Sequence, residues 1–364
     1  MNKSNSSPTQ PGLRLGRRSL LKGAALGGAA VGTAGFSLSS FLAACGGSTT
    51  PPSGEGNFPS HPQWNFVFVN HVTTNPFFTP TQYGIADACA LVGCKYQWTG
   101  SENSLVSEMV DKMNAAISAK ADGIAVSIID PTAFNDPVQR ALSAGIPVLA
   151  YNADAPASSN NARLAYIGQD LFQSGVQVGR RIASLVPSGA IAGFIATPGS
   201  LNIQPRIDGI KSVLSTIPSI SFVEIATGAA VNAELSAIEA YYLGHPNLKG
   251  MVAVDAGSTQ GTAQIMEKYS LASKGVHAGG YDLLPKTLQE INGGNLDFTI
   301  DQQPYLQGFI PVMQLFLYKL SGGLQQPSNT NTGLLFVTKN NVGPYLNTQT
   351  RFEGSSDKQK VVTP

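Results

Sequence analysis

The chain has 364 residues, enough for one or two α/β-sized domains with a substantial core. Hydrophobic residues make up 42% and charged residues only 12%, which excludes a disordered chain and leaves surface polarity to Ser, Thr, Asn, Gln and Gly. The formal net charge is +1, with no Lys/Arg block and no basic stripe interleaved with aromatics, which excludes nucleic acid as a partner.

Lys3, Arg14, Arg17, Arg18 and Lys22 all precede the first acidic residue, Glu55. The segment Gly16-Arg17-Arg18-Ser19-Leu20-Leu21-Lys22 resembles a twin-arginine export signal, and the uncharged Gly/Ala-rich stretch from Gly23 to Ala44 follows as its apolar region. The alternative, a membrane-spanning helix, is disfavoured by the glycines of that stretch and by its ending, Leu42-Ala43-Ala44-Cys45. That ending looks like the lipobox of bacterial lipoproteins, in which the cysteine thiol is acylated. Residues 1–44 are therefore expected to be a signal peptide and Cys45 a lipid anchor; the other reading of the same residues is a plain small-residue cleavage site. Residues 45–62, rich in Pro, Gly and Ser, have the composition of a semi-flexible tether.

Beyond residue 44, 18 Lys/Arg stand against 22 Asp/Glu, ordinary for a soluble extracytoplasmic protein. Cys89 and Cys94 are the remaining cysteines. A disulfide is open to them in an oxidising compartment, but Cys89 falls on the apolar face of an expected helix, so two buried thiols are the favoured reading. With no nearby His cluster, zinc is not expected.

From Trp64 short apolar runs alternate with helix-period segments. WNFVFVN (64–70), KYQW (95–98), GIAVSII (123–129) and IPVLAYN (146–152) read as strands, and residues 80–93, 104–120 and 134–145 as helices. Leu105, Met109, Met113 and Ala116 recur at helical spacing in the second of these helices. The pattern repeats after Gly168: a helix from Leu171 to Leu185, AIAGFIA, a helix from Arg206 to Leu214, SFVEIAT, a helix from Ala233 to Leu243, and GMVAVD. It continues through GTAQIMEKYS, VHAGGYD, PKTLQEING and FTIDQ. Strands separated by such helices cross over in parallel, so two open parallel sheets flanked by helices are expected. Ligands of open α/β sheets bind outside the carboxyl ends of the strands. Those ends are His71–Phe78, Ser127–Asp130, Asn152–Asp154, Thr197–Arg206, Asp255, Asp282 and Gln302.

Catalytic constellations are absent from the sequence: no Walker phosphate loop, no G-x-G-x-x-G after a strand, no H-E-x-x-H, no C-x-x-C and no G-x-S-x-G. Of His61, His71, His245 and His277, only His71 falls at a strand end. No enzyme activity, cofactor or metal is expected. What the strand ends do offer suits an uncharged polyol: Asn75, Asn152, Asp154, Arg206, Asp255, Asp282 and Gln302, with Phe77 and Phe78. Carboxylates, amides and guanidinium groups pair with vicinal hydroxyls, and aromatic rings cover the C–H face of a sugar. Plainer roles stand beside these, since an Asp after a strand often caps a helix and Phe77-Phe78 could be core.

Thr74-Asn75-Pro76-Phe77-Phe78, Ile146-Pro147-Val148-Leu149-Ala150-Tyr151-Asn152-Ala153-Asp154, Arg206-Ile207-Asp208-Gly209-Ile210, Gly280-Tyr281-Asp282 and Thr299-Ile300-Asp301-Gln302 together resemble the ribose-binding-protein-like, type I periplasmic binding proteins of sugar ABC importers. The resemblance covers residues 64–340. It implies a two-lobe fold hinged by crossover strands, with residues 63–168 plus 303–331 in the first lobe, 169–302 plus 332–350 in the second, and a tail from 351 to 364. It also implies that Phe77 and Phe78 lie on the sugar ring, that Asn75, Asn152 and Asp154 bind hydroxyls from the first lobe, and that Arg206, Asp255 and Asp282 close from the second, with Gln302 near the hinge. His71 is a further hydroxyl partner. The ribose-binding pattern has Asp-Arg where this chain has Asn152-Ala153, and Asn where it has Asp255. The lost Arg leaves more room, which points away from ribose towards a pyranose, an aldohexose or a pentose. The implied partners are a monosaccharide and ABC permease and ATPase subunits on separate chains. A lipid-anchored sensor presenting a sugar, cyclitol or sugar-like signal to a receptor is the alternative.

Overall fold

The structure, a computed structural model, describes residues 59–346 and 351–352. The export signal, the Cys45 anchor, most of the tether and most of the tail lie outside the described residues. In chain order the elements are β1 (Asn65–Asn70), α1 (Thr79–Val92), β2 (Lys95–Gly100), α2 (Val106–Ser118), β3 (Gly123–Val126), α3 (Asn135–Ser143), β4 (Val148–Tyr151) and β5 (Ala165–Gly168). Then come α4 (Leu171–Leu185), β6 (Gly189–Ile195), α5 (Gln204–Leu214), β7 (Ile220–Ala226), α6 (Val231–Gly244), β8 (Gly250–Ala253), α7 (Ala256–Lys268), β9 (His277–Gly279), α8 (Pro285–Gly293) and β10 (Thr299–Asp301). Last are α9 (Pro304–Leu320), β11 (Thr330–Asn331), β12 (Leu335–Val337) and α10 (Gly343–Leu346).

These elements make two lobes. One holds a parallel sheet in the order β11-β5-β4-β3-β1-β2, the other a parallel sheet in the order β7-β6-β8-β9. Backbone bonds from Gly280 N to Phe298 O (3.1 Å) and from Asp282 N to Ile300 O (2.8 Å) extend the second sheet to β10, which pairs antiparallel with β12. Burial explains which runs the sequence makes continuous. The central strands β3, β4 and β8 are buried on both faces and read GIAV, VLAY and GMVA, whereas the edge strands β2 (KYQWTG) and β7 (ISFVEIA) alternate in burial and carry the polar residues. Helices cover both faces of each sheet, so each lobe has two apolar clusters, one on either side.

Within each lobe the chain runs from the first strand outward to the second, then back to the other side of the first: β1 lies between β2 and β3, and β6 between β7 and β8. That reversal opens a crevice at the carboxyl ends of the two flanking strands. The chain passes between lobes three times: from β5 into α4, from β10 into α9 and from β11 into β12. Thr332 N donates to Gly168 O at 3.0 Å, Thr332 Oγ1 to Gln302 O at 2.8 Å, and Gln169 Nε2 to Gly333 O at 3.1 Å, so the three crossings are bonded to one another. The helix α9 was not read from the sequence. Its internal Pro311 breaks the helical signal, yet α9 packs along α1 and closes the first lobe. Cys89 and Cys94 are both free, buried thiols; burial pushes both up, Cys94 to about 11.

The α1–α9 contact works through two reciprocal glycines. A Cβ on Gly308 would overlap the Thr81 carbonyl oxygen, and one on Gly84 the Tyr305 carbonyl oxygen. Backbone on both sides leaves no flexible side chain to yield. Gly308→Ala should therefore destabilise the protein by about 1–3 kcal/mol, read from urea unfolding. Gly244→Ala, at a helix end with nothing within 4 Å of the added carbon, should leave stability unchanged or raised by roughly 0.5 kcal/mol. Equal effects of the two substitutions would contradict this packing.

Candidate ligand-binding site

The crevices of the two lobes face each other across one cavity. Its walls include His71, Asn75, Phe77, Phe78, Asn152, Arg206, Glu234, Asp255, Asp282 and Gln302, around about 580 Å³ of empty space that includes the open mouth.

From the first lobe, the turn after β1 is set by Asn70, whose side chain accepts from Val72 N and donates to the Tyr151 hydroxyl (both 2.8 Å). Next, Asn75 caps the short 3-10 turn Pro76–Phe78 by accepting from Phe77 N at 2.9 Å. Pro76 starts that turn at its preferred position, and the turn points both rings into the cleft. Phe77 and Phe78 meet edge to face at 4.7 Å and pack with Ala256 and Leu284 of the second lobe. His71 Nε2 lies 3.2 Å from Asn202 Nδ2, and Asn202 Oδ1 already accepts from Ser200. The amide is therefore the donor, and neutral His71 carries its proton on Nδ1 and donates to Ser127 Oγ at 3.0 Å. Burial pushes His71 down to about 4, so the imidazole is uncharged at neutral pH. Asn152 sits at the end of β4 with φ 64 and donates from Nδ2 to Gln307 Oε1 at 3.0 Å.

From the second lobe, Arg206 stands in the first turn of α5 and is 3% exposed. Its Nη1 donates to Val254 O at 2.8 Å, its Nη2 to Gln169 Oε1 at 3.3 Å, and its guanidinium lies over the Tyr281 ring at 4.1 Å. Its Nε is buried with no partner among the described residues. Asp282, at φ 74, accepts from Gln302 Nε2 at 2.6 Å. Burial pushes its carboxyl up to about 6, against the opposing pull of Arg206 and Gln302. Asp255 accepts from Ser258 N (2.8 Å), capping α7, and from Ala196 N (3.0 Å), holding the end of β6. The capping role and the cavity position thus coexist in one residue.

Nine of the ten residues picked from the sequence line this cavity; Asp154 does not. Its carboxylate is gripped by the Arg163 fork, Nε to Oδ1 at 2.6 Å and Nη2 to Oδ2, outside the cleft and beside the β5–α4 crossing. The αL conformation of Asn152 turns the chain so that the residue two positions on faces away. His71 lines the cavity, but both of its ring nitrogens are engaged by protein. The sequence reading missed Asn202 and Glu234. Asn202 lay within the strand-end segment Thr197–Arg206 without being chosen. Glu234 follows the carboxyl end of β7, a strand end left out of that reading. Among the described residues no group of three or more His, Cys, Asp and Glu side chains is placed to hold a metal ion, and no helix is long and apolar enough to cross a membrane.

The two lobes touch across the cavity: Leu201 N donates to Ile129 O at 3.0 Å, beside the Asn202–His71 bond.

Comparison with known proteins gives a consistent picture. Residues 66–322 match the family described as periplasmic binding protein domain. The chain is 56% identical over 317 residues to the xylose/arabinose-binding protein XylF of Sulfolobus acidocaldarius, covering 84% of this chain and 78% of that one. It is similar in structure to an ABC transporter solute-binding protein from Burkholderia graminis in complex with D-arabinose, with TM-score 0.73 and 28% identity over 80% of this chain and 100% of that one. A glucose-galactose binding protein from Geobacillus stearothermophilus, GanP, shares the fold at 22% identity and TM-score 0.71, over 78% of this chain and 100% of that one. The chain has the type I fold and belongs to the periplasmic binding protein domain family, whose members bind solutes and are not enzymes.

Proposed function

We propose that this protein captures a monosaccharide between its two lobes and delivers it to an ABC importer whose permease and ATPase are separate chains. The pentopyranoses xylose and arabinose are the ligands of choice, because the 56% identical relative is named for them. The observation that carries the reading is the cavity itself: two phenyl rings, four amides and three carboxyls converge there on a buried guanidinium whose Nε lacks a partner among the described residues. A hydroxyl or ring oxygen would satisfy that nitrogen, and stacking of a C–H face on Phe77 or Phe78 would cover the rest.

In this reading the lobes are bounded at the three crossings, near Gly168-Gln169-Asp170, Gln302-Gln303-Pro304 and Asn331. These act as hinges, and closure is favoured only by contacts that both lobes make to the ligand. Export through the twin-arginine signal and acylation of Cys45 would hold the body on the outer face of the cell membrane.

Titration of the mature protein, stripped of carried ligand, with xylose, arabinose, ribose, glucose, galactose and amino-acid controls should give micromolar binding to a pentopyranose, about −8 kcal/mol, and none to amino acids. Arg206→Ala should weaken it by roughly 10- to 100-fold, as expected for losing a charged hydrogen bond worth about 1.5–3 kcal/mol. Folded, ligand-free protein that binds none of these sugars would overturn the reading.

Asp282 adds a stability test. Because its folded-state value, about 6, lies above that of an unfolded aspartate, about 4, the ligand-free native state binds the proton more tightly. Its contribution to stability is full below about pH 4 and is lost as pH rises through 6. Asp282→Asn should therefore raise the melting temperature of the ligand-free protein at pH 7.5, by an amount that shrinks towards pH 4.5, while weakening sugar binding. An unchanged melting temperature at pH 7.5 would contradict this account.

A further inference from the structure

We infer that Glu234 is a further specificity-determining residue of the cleft, which presents a neutral carboxyl beside the Asp255 carboxylate to one ligand hydroxyl. The inference rests on the sugar-binding reading and adds to it a contact from α6, an element that supplies none of the residues picked from the sequence.

Glu234 stands in the first turn of α6, is 3% exposed and lines the cavity. Its Oε2 is buried with no hydrogen-bond donor among the described residues. An acceptor left dry costs about 1–3 kcal/mol, so the position requires either a proton on the carboxyl or a donor brought by a ligand. Room for it comes from Gly257, in the first turn of α7, where a Cβ would overlap Glu234 Oε2. The carboxyls of Glu234 and Asp255 are within hydrogen-bonding reach of each other. Two such groups share a proton in preference to ionising together. The N–H bonds from Ser258 and Ala196 favour the anion on Asp255, which leaves the proton on Glu234. Burial, and then the charge of Asp255, push Glu234 up to about 9.

A pair of this kind carries one negative charge on two carboxyls, so it can meet a hydroxyl as donor and as acceptor without introducing a second buried anion. Burial raises Asp255 as well as Glu234, so the pair holds its shared proton above neutral pH. Of the groups around the pair, His71 and Asp282 on the cavity walls are pushed down to about 4 and up to about 6, and Tyr281, under the Arg206 guanidinium, is pushed up to about 12. The Arg206 guanidinium stays cationic throughout. Further along α6, Glu239 is engaged by Lys268 and Tyr269 of the neighbouring helix and faces away from the cleft. Between pH 7 and 10 the Glu234–Asp255 pair gains its second charge, and ionisation of Glu234 beside Asp255 disfavours the bound state.

The test is calorimetric titration of wild-type protein, Glu234→Ala and Glu234→Gln with xylose, arabinose, glucose and galactose from pH 6 to 10. Wild-type affinity should fall at least tenfold between pH 7.5 and 10. Glu234→Ala should lose at least tenfold for the preferred sugar at pH 7, with narrowed discrimination among the four. Glu234→Gln should lose only severalfold and show a flat profile over the same range. If Glu234→Ala does not fold, the profile of Glu234→Gln against wild type decides alone. Wild-type protein that binds sugar with the same affinity at pH 7.5 and 10, or a Glu234→Ala protein within twofold for all four sugars, would overturn this inference and leave the sugar-binding reading standing. A wild-type protein that binds no sugar would overturn both.

Discussion

A guanidinium taken out of water must be matched on every side, and the placement of Arg206 sets the terms for the cleft around it. Its Nη groups are matched by Val254 O and Gln169 Oε1, its face by Tyr281, and its charge by Asp282. These four partners come from three parts of the second lobe: the end of β8, the first crossing, and the segment after β9. Holding one side chain in register thus fixes the relative position of three strand ends. The remaining nitrogen, Nε, is the one the protein leaves unmatched. A buried donor without a partner costs about 1–3 kcal/mol, and under the proposed function that cost is recovered when the ligand meets this nitrogen.

The same tension recurs in the backbone. Asn152, Asp282 and Gln303 all have positive φ, at 64, 74 and 59, in a region that non-glycine residues enter at some energetic cost. All three lie where a strand of one lobe ends at the cleft or at a crossing. Side-chain bonds hold them there: Asn152 to Gln307, Asp282 to Gln302, and Gln303 to Asp301 at 2.5 Å. Gln307 in turn donates to Gln302 Oε1 (3.1 Å) and Thr332 Oγ1 (3.2 Å). Ligand contacts and interlobe connections are therefore one hydrogen-bonded network, so under the proposed function a change at the ligand is felt at the crossings without an intervening relay.

How much of this was legible in the sequence depended on whether a residue's role is set by its own element or by a neighbour. The βαβ alternation is local, and continuous apolar runs such as GIAV and VLAY revealed buried parallel strands directly. Residues at strand ends inherit their position from topology, so Asn75, Arg206, Asp255, Asp282 and Gln302 could be placed at the cleft before any coordinates. Asp154 could not be excluded, because only the αL turn at Asn152 and the Arg163 fork remove it, and neither has a local signature. Helix α9 was obscured by Pro311, which stands buried inside the helix. The place of Glu234 depends on a glycine in another helix, Gly257, and on a proton shared with Asp255, information that is distributed over three elements.

That distribution bears on what sort of cleft this is. The first lobe contributes rings and amides but, once Asp154 is removed, none of the carboxylates picked for it; His71 is neutral and already bonded on both nitrogens. The charged and ionisable groups, Arg206, Glu234, Asp255 and Asp282, all stand on the second lobe. An uncharged ligand suits that division. Under the proposed function, stacking on Phe77 and Phe78 would require only an apolar face, and the choice among hydroxyl configurations would fall to groups that can act as donor or acceptor according to where a proton sits. In that reading, ring contact from one wall and hydroxyl selection from the other would separate affinity from specificity.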